Sequence, residues 1–468
     1  MRFIKFYAAA LIISVTFISC EEDPVTEDPI IEDPVVNDTS EVDILNEWIW
    51  TEMNTYYFWE DEIDSNLYPT ENEPEDFFYS LLSTNDRFSW IVDDYQALIN
   101  SFNNIELSTG MSPYFINIGN GNEVIVIIEY VSEGSPADSA GILRGDIITE
   151  INGETLNINN YADLFYSDNV TLGFGELKDN TIVPINREIK LEARVIEQNP
   201  IVHYEIIDYQ DQKTGYLVYT GFSAGDNDKW VDSLDQVLTD FQDSGISELV
   251  VDLRYNPGGR VNVANHLAAS VAPSDISANK SVFVKYQWNT LLNNYFLQED
   301  GENSSNLVLL FEDSPTVNLN LQNIYFLTSP HSASASELII IGLEPYMNVM
   351  HIGENTYGKP FGSITIKDTE DPPRHSWAMQ PIVFQYTNAE GFTDFIDGLE
   401  PDYYIDDDLF FAKPFGDITD PLLAKALEEI TGINPALKKT YHDRLDFKYD
   451  LLKDPVREIK NNAVADIN

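Results

Sequence analysis

The chain has 468 residues and a formal net charge of −53, from 79 acidic against 26 basic residues. So acidic a balance argues against nucleic-acid binding, because phosphate contacts need basic patches, and reads instead as a strongly solvated surface. At ~100–200 residues per domain the length allows three units with a sizeable core, and the single cysteine, Cys20, excludes an internal disulfide.

Arg2 and Lys5 precede an apolar run from Phe6 to Ile18 that ends in Ser19-Cys20. The run is too short to span a bilayer and has the charge and length of a secretory signal. A lone cysteine closing such a leader reads as a lipidation site, an arrangement that resembles bacterial lipoproteins; the alternative is a fortuitous cysteine in a cleaved signal. Asp-Pro then recurs every five residues at Asp23-Pro24, Asp28-Pro29 and Asp33-Pro34. Proline with self-repelling carboxylates favours an extended spacer, and about twenty residues at about 3.1 Å each reach roughly 60 Å. The acidic residues after Cys20 also resemble the surface-export signal of Bacteroidetes lipoproteins, although a plain tether has the same composition. The expected address is a bacterial outer membrane or cell envelope, lipid-anchored, facing periplasm or exterior.

From about Glu41 the composition changes. Trp48, Trp50, Tyr56, Tyr57, Phe58 and Trp59 crowd together, and the spacing of Ile44, Trp48 and Met53 predicts a small helical subdomain with an aromatic core. Such a cluster is more often core than carbohydrate platform. Val131 to Gly153 then reads as strand, turn, short helix, Gly-bounded turn and strand, with Ile147, Ile148 and Ile151 as core. Lys213 to Tyr219 opens a further unit, with a helix near Trp230 to Gln242.

Three segments of that last unit carry chemistry. In the first, the apolar Glu248-Leu249-Val250-Val251-Asp252-Leu253-Arg254 ends in Tyr255-Asn256-Pro257-Gly258-Gly259-Arg260, before a helical stretch from Val263 to Ala269. Paired glycines at a strand-to-helix turn let backbone amides approach a ligand, though a plain turn looks the same. In the second, Asn323 to Thr328 predicts a strand, and Ser332-Ala333-Ser334-Ala335-Ser336-Glu337 leads into the apolar Leu338 to Ile341. This places Ser334 at a turn before a helix, where amides stabilise developing negative charge. Ser334 with Glu337 three residues on is also a capping box, and most such boxes only start helices. In the third, Lys359 follows Asn355-Thr356-Tyr357-Gly358, 25 residues after Ser334. A lysine can deprotonate a serine only when neutral, so it must be desolvated; most lysines after glycines are solvated loop residues.

In this order the three segments resemble the C-terminal processing peptidases, serine–lysine proteases also called tail-specific proteases. The resemblance implies a crotonase-like α/β core in which Ser334 is the nucleophile and Lys359 the general base. Gly258, Gly259 and the amide of Ala335 would bind the oxyanion, with Glu337 and Thr356 at functionally sensitive positions. The family often carries a glutamine four residues after the lysine; here that position is Ser363, whose shorter reach leaves the third catalytic member open. The segment around Val131 to Gly153 resembles a PDZ domain of the protease-associated type, which captures a C-terminal peptide as an added strand. Gly110, Met111 and Phe115 are then candidates for its peptide-binding site, although Gly-x-Ser-Pro is equally an ordinary turn.

The expected multidomain organisation is a signal peptide at 1–20, an acidic tether at 21–40, a helical subdomain at 41–102, a β-rich PDZ domain at 103–198, the peptidase core at 199–435 and a polar tail at 436–468. The expected function is a lipid-anchored serine endopeptidase acting on proteins or peptides with accessible C-termini. Neither cofactor nor metal is called for, since Asp406-Asp407-Asp408 lacks the spacing of a calcium-binding loop. The alternatives are a non-catalytic peptide-binding lipoprotein of the same fold, and a Ser-His-Asp hydrolase, which would need one of the six histidines, although His331, three residues from Ser334, and His351, at a strand end, have no obvious geometric claim.

Overall fold

A computed structural model describes residues 41–67, 73–119, 121–436 and 449–457; the leader, Cys20 and the acidic tether lie outside them. The centre is a six-stranded sheet ordered Ile201–Tyr209, Gln212–Tyr219, Glu248–Asp252, Asn323–Thr328, Asn348–Gly353 and Tyr403–Tyr404. Its first two strands are an antiparallel hairpin and every later pairing is parallel. Parallel neighbours need crossovers, supplied by the helices Lys229–Ser244, Val261–Val271 and Ala335–Leu343. These crossovers bury Phe241, Leu267 and Leu338 on one face of the sheet, and helix Pro421–Thr431 buries Leu422, Leu423 and Leu427 on the other. The strand ends are therefore the only places where this core can expose chemistry.

A second sheet pairs Val308–Leu310, Val282–Trp288, Ile382–Asn388 and Phe361–Ser363 antiparallel. The N-terminal region is less independent than its aromatic spacing suggests. Helix Glu41–Tyr56 forms, and Trp48, Met53 and Tyr57 are buried as core, yet the same cluster takes in Ile366 and Met379 from far along the chain. Strand Trp90–Val92 pairs with Ala378–Gln380, which fixes this region against the core.

Met111–Ile118, Val124–Val131, Ile147–Ile151, Asn169–Lys178 and Thr181–Glu192 pair in that order as the PDZ sheet. Ile147, Ile148 and Ile151 are buried as predicted. Unexpectedly, Tyr449–Leu451 from the tail adds to the outer edge of Met111–Ile118. A three-residue strand has too few residues to show a period, so the composition alone reads as polar tail.

Candidate functional site

Ser334 follows strand Asn323–Thr328 and caps helix Ala335–Leu343. Its φ of 55° and ψ of −111° lie in a region that a residue with a Cβ adopts only when its surroundings force it. The forcing contacts are visible. Ala333 N–H donates to Asn256 O (3.2 Å), Ser332 Oγ to Leu253 O (2.8 Å) and Ser336 Oγ to Asn256 O (2.9 Å). Two of the three serines in the motif thus stitch the turn to the loop after strand Glu248–Asp252. Ser334 stands between them, at the strained position.

Glu337, fully buried, ties that turn to the lysine segment. Its Oε2 accepts from the amides of Ser334 (2.8 Å) and Lys359 (2.9 Å), and its Oε1 from Thr356 Oγ1 (2.6 Å) and Gly358 N–H (2.7 Å). Burial raises its pKa, while the four donors favour the anion. On the far side, the Tyr386 hydroxyl lies 3.1 Å from Ser334 O and 2.9 Å from Lys359 O. The Ser334 turn and the Lys359 loop therefore share one carboxylate oxygen and one phenol.

Lys359 has no exposed surface. Burial pushes its pKa down to about 7, against opposing contributions from Asp86 and Glu337. Its neighbours come from the N-terminal region. The Phe88 ring lies 5.8 Å from Nζ, and Arg87 donates to Gly358 O (2.8 Å) and Ile396 O (2.7 Å). Asp86 is held by Tyr57 Oη (2.9 Å) and the amides of Phe88 (2.8 Å) and Ser89 (2.9 Å). Asp86, Arg87 and Tyr386 were not singled out from sequence, because they lie far along the chain from the motif and carry no spacing signal. Ser363 is buried and donates to Gln380 Oε1 at 2.9 Å. Gln380 ends strand Ala378–Gln380, out of reach of local pattern, and its Nε2 donates to Thr365 Oγ1.

The glycine loop needs a correction. Gly258 (φ 110°) packs so closely that an added Cβ would fall 2.8 Å from Ser334 Cβ, as close approach requires. Its N–H, however, donates to Asn256 Oδ1 (2.9 Å), so in this conformation it is not aimed at an oxyanion. An Asn bonding the amide two residues on is a common turn, and the Asn-Pro-Gly order carried that signal. Gly259 is different: Gly258 O and Arg260 N–H make the bridge to Phe222, which turns the Gly259 amide away from it. Ala335 opens its helix, where the first amide has no intrahelical acceptor.

His331 and His351 have their own partners away from Ser334. His351 bonds Thr328 Oγ1 and burial lowers its pKa to about 4, while His331 packs on Tyr114 with Glu129 Oε1 at 3.9 Å. Of the candidate peptide-binding residues, Gly110 and Met111 line a cavity, whereas Phe115 does not and lies in the core of its domain. Phe115 is buried against Tyr161 and Phe165, with ring centroids 4.8 and 5.3 Å away. A cavity of about 350 Å³ runs from Gly110, Met111 and Ser112 to Gly258 and Gly259.

Comparison with known proteins gives matches in three regions of the chain. The profile of "Peptidase family S41" matches residues 213–405, that of "Peptidase S41 N-terminal domain" residues 45–90, and that of "PDZ domain" residues 127–174. A solved S41 protease from Bacteroides fragilis NCTC 9343 superposes with a TM-score of 0.66 at 29% identity, covering 82% of this chain and 97% of that one. A protein named probable CtpA-like serine protease from Staphylococcus aureus N315 is 28% identical over 57% of this chain and 49% of its own length. Carboxyl-terminal-processing peptidase 3, chloroplastic, of Arabidopsis thaliana is 26% identical over 52% of this chain and 44% of its own. The chain thus spans about half the length of the curated relatives it matches.

Proposed function

We propose, from the premise that this chain belongs to peptidase family S41 and carries that family's N-terminal domain and a PDZ domain, that it is a serine endopeptidase working through Ser334 and Lys359. Ser334 Oγ would attack the scissile carbonyl carbon while the neutral Lys359 amine takes the hydroxyl proton. The tetrahedral oxyanion would be met by the amides of Ala335 and Gly259; Gly258 would join them by leaving Asn256. Collapse breaks the C–N bond, the proton passes from Lys359 to the leaving amine, and water hydrolyses the acyl-enzyme by the same route. The observation that carries this reading is that Glu337 Oε2 accepts from the amides of both Ser334 and Lys359, with the lysine fully buried.

A serine-directed fluorophosphonate should label the wild-type chain and leave Ser334→Ala unlabelled. Wild-type protein that does not react would leave the non-catalytic, peptide-binding reading, which the engaged Gly258 amide favours. We propose further that substrates dock by their C-termini on the PDZ edge near Gly110, Met111 and Phe115. Free-acid peptides should then be cut faster than their amidated forms, and equal rates would remove that part. A lipid anchor at Cys20 is supported by the basic-then-apolar leader. Cys20→Ser should abolish fatty-acid labelling and release or stall the protein, whereas an unlabelled, soluble wild type would exclude the anchor.

A further inference from the structure

A PDZ groove receives its peptide as a strand on the edge of the sheet, beside a helix. In this chain the groove is already filled. Tyr449, Asp450 and Leu451 pair antiparallel with Ile118, Asn117 and Ile116, and Leu452 N–H donates to Phe115 O at 2.9 Å. Antiparallel pairing runs the segment toward Gly110, the direction a captured tail would take. The other wall, helix Tyr161–Phe165 and the residue after it, holds the same segment: Tyr161 Oη donates to Lys453 O and Tyr166 Oη to Asp454 Oδ1, both at 2.7 Å. Leu452 packs into the PDZ core. Beyond it, Asp454, Val456 and Arg457 line the cavity that reaches Gly258 and Gly259.

The contact at the end of the segment is the most specific one. Glu129, on the PDZ strand Val124–Val131, has no exposed surface. Arg457 meets it with both guanidinium nitrogens, Nη1 donating to Oε1 at 2.8 Å and Nη2 to Oε2. Arg457 Nη2 also lies 3.0 Å from Ser112 Oγ, which itself donates to Glu129 Oε2 at 2.8 Å. Removing one partner of a buried ion pair strands the other charge, which is costly. A peptide that merely pushed the tail aside would leave Glu129 in that state.

We propose that residues 449–457 are an intramolecular ligand of the PDZ groove, and that an incoming peptide must displace them and bring its own basic side chain to Glu129. This rests on the reading of the groove as the substrate-docking site. It narrows the substrate class to segments with an apolar residue followed, five positions on, by arginine or lysine, as Leu452 is by Arg457. The arrangement also keeps the groove closed to peptides that lack that cation.

Binding should be read in the Ser334→Ala chain, so that an inactive enzyme and an unoccupied groove give different results. The probe is a fluorescent peptide, Tyr-Asp-Leu-Leu-Lys-Asp-Pro-Val-Arg, followed by anisotropy. Leu452→Asp with Arg457→Glu in the protein weakens the tail by burying charge and opposing Glu129. That protein is expected to bind the probe at least tenfold more tightly than the Ser334→Ala parent, and a probe ending in alanine should lose at least tenfold. Should the double variant not fold, a protease site engineered within 437–448 and cut after folding, with the freed piece removed by gel filtration, gives the same comparison. Equal affinities with and without the tail, no binding to either form, or indifference to the terminal arginine would overturn the proposal.

Discussion

Replacing Lys359 by alanine is expected to lower peptide-bond cleavage by about 10³-fold or more, since general-base assistance and the activated nucleophile are lost together. Arginine should not rescue, because a guanidinium stays protonated at any pH the fold tolerates. Cleavage by the arginine variant would mean that another group deprotonates Ser334. The wild-type pH profile follows from the same residue: burial brings its pKa down to about 7, and only the neutral amine is a base, so activity should rise with pH through about 7. Stability moves in the same direction. An unfolded lysine titrates near 10.4, so between about 7 and 10.4 the unfolded chain binds more protons and stability increases with pH. Lys359→Met should therefore be the more stable protein by on the order of 4 kcal/mol at pH 7. That difference should be full below about pH 7 and close as pH approaches 10.4. Denaturant unfolding at pH 7 and pH 10 measures it, and a gap that does not narrow would show that Lys359 is charged in the fold.

The sequence was most legible where structure is local. The run Asn323 to Thr328 is the strand predicted, and the Ser334–Glu337 spacing forms a capping contact, with Ser334 N–H on the Glu337 carboxylate. The cap is more than local, because the same carboxylate also holds Thr356, Gly358 and Lys359. What stayed hidden is carried by long-range contacts. Arg87 reaches Gly358 and Ile396 across roughly three hundred residues, and no periodicity in an aromatic-rich helical region announces a brace for a lysine loop. The tail was hidden for another reason. Tyr449–Leu451 earns its strand from the open edge of Met111–Ile118 rather than from its own composition.

Glu337→Gln is expected to cut kcat by roughly 10²–10³-fold while leaving KM nearly unchanged, although the side chains differ by one atom. A carboxylate offers acceptors on both oxygens, and here both are used twice. An amide offers one oxygen and sets two N–H groups against donors that need an acceptor, so either orientation breaks two bonds at a buried site. Each buried donor left unpaired costs about 1–3 kcal/mol, enough to let the Ser334 turn relax from its strained φ of 55°. On the proposed mechanism Glu337 would act through Ser334 and Lys359, as a positioning residue, and a readout beyond activity separates this from general loosening. The carboxylate raises the Lys359 pKa, so its neutralisation should move the midpoint of the pH–activity curve to lower pH even as kcat falls. Loss of kcat with an unmoved midpoint and a matching loss of secondary structure would reduce Glu337 to a helix cap. Loss of kcat with the midpoint shifted, in a folded protein, would identify it as the group that sets nucleophile and base in register.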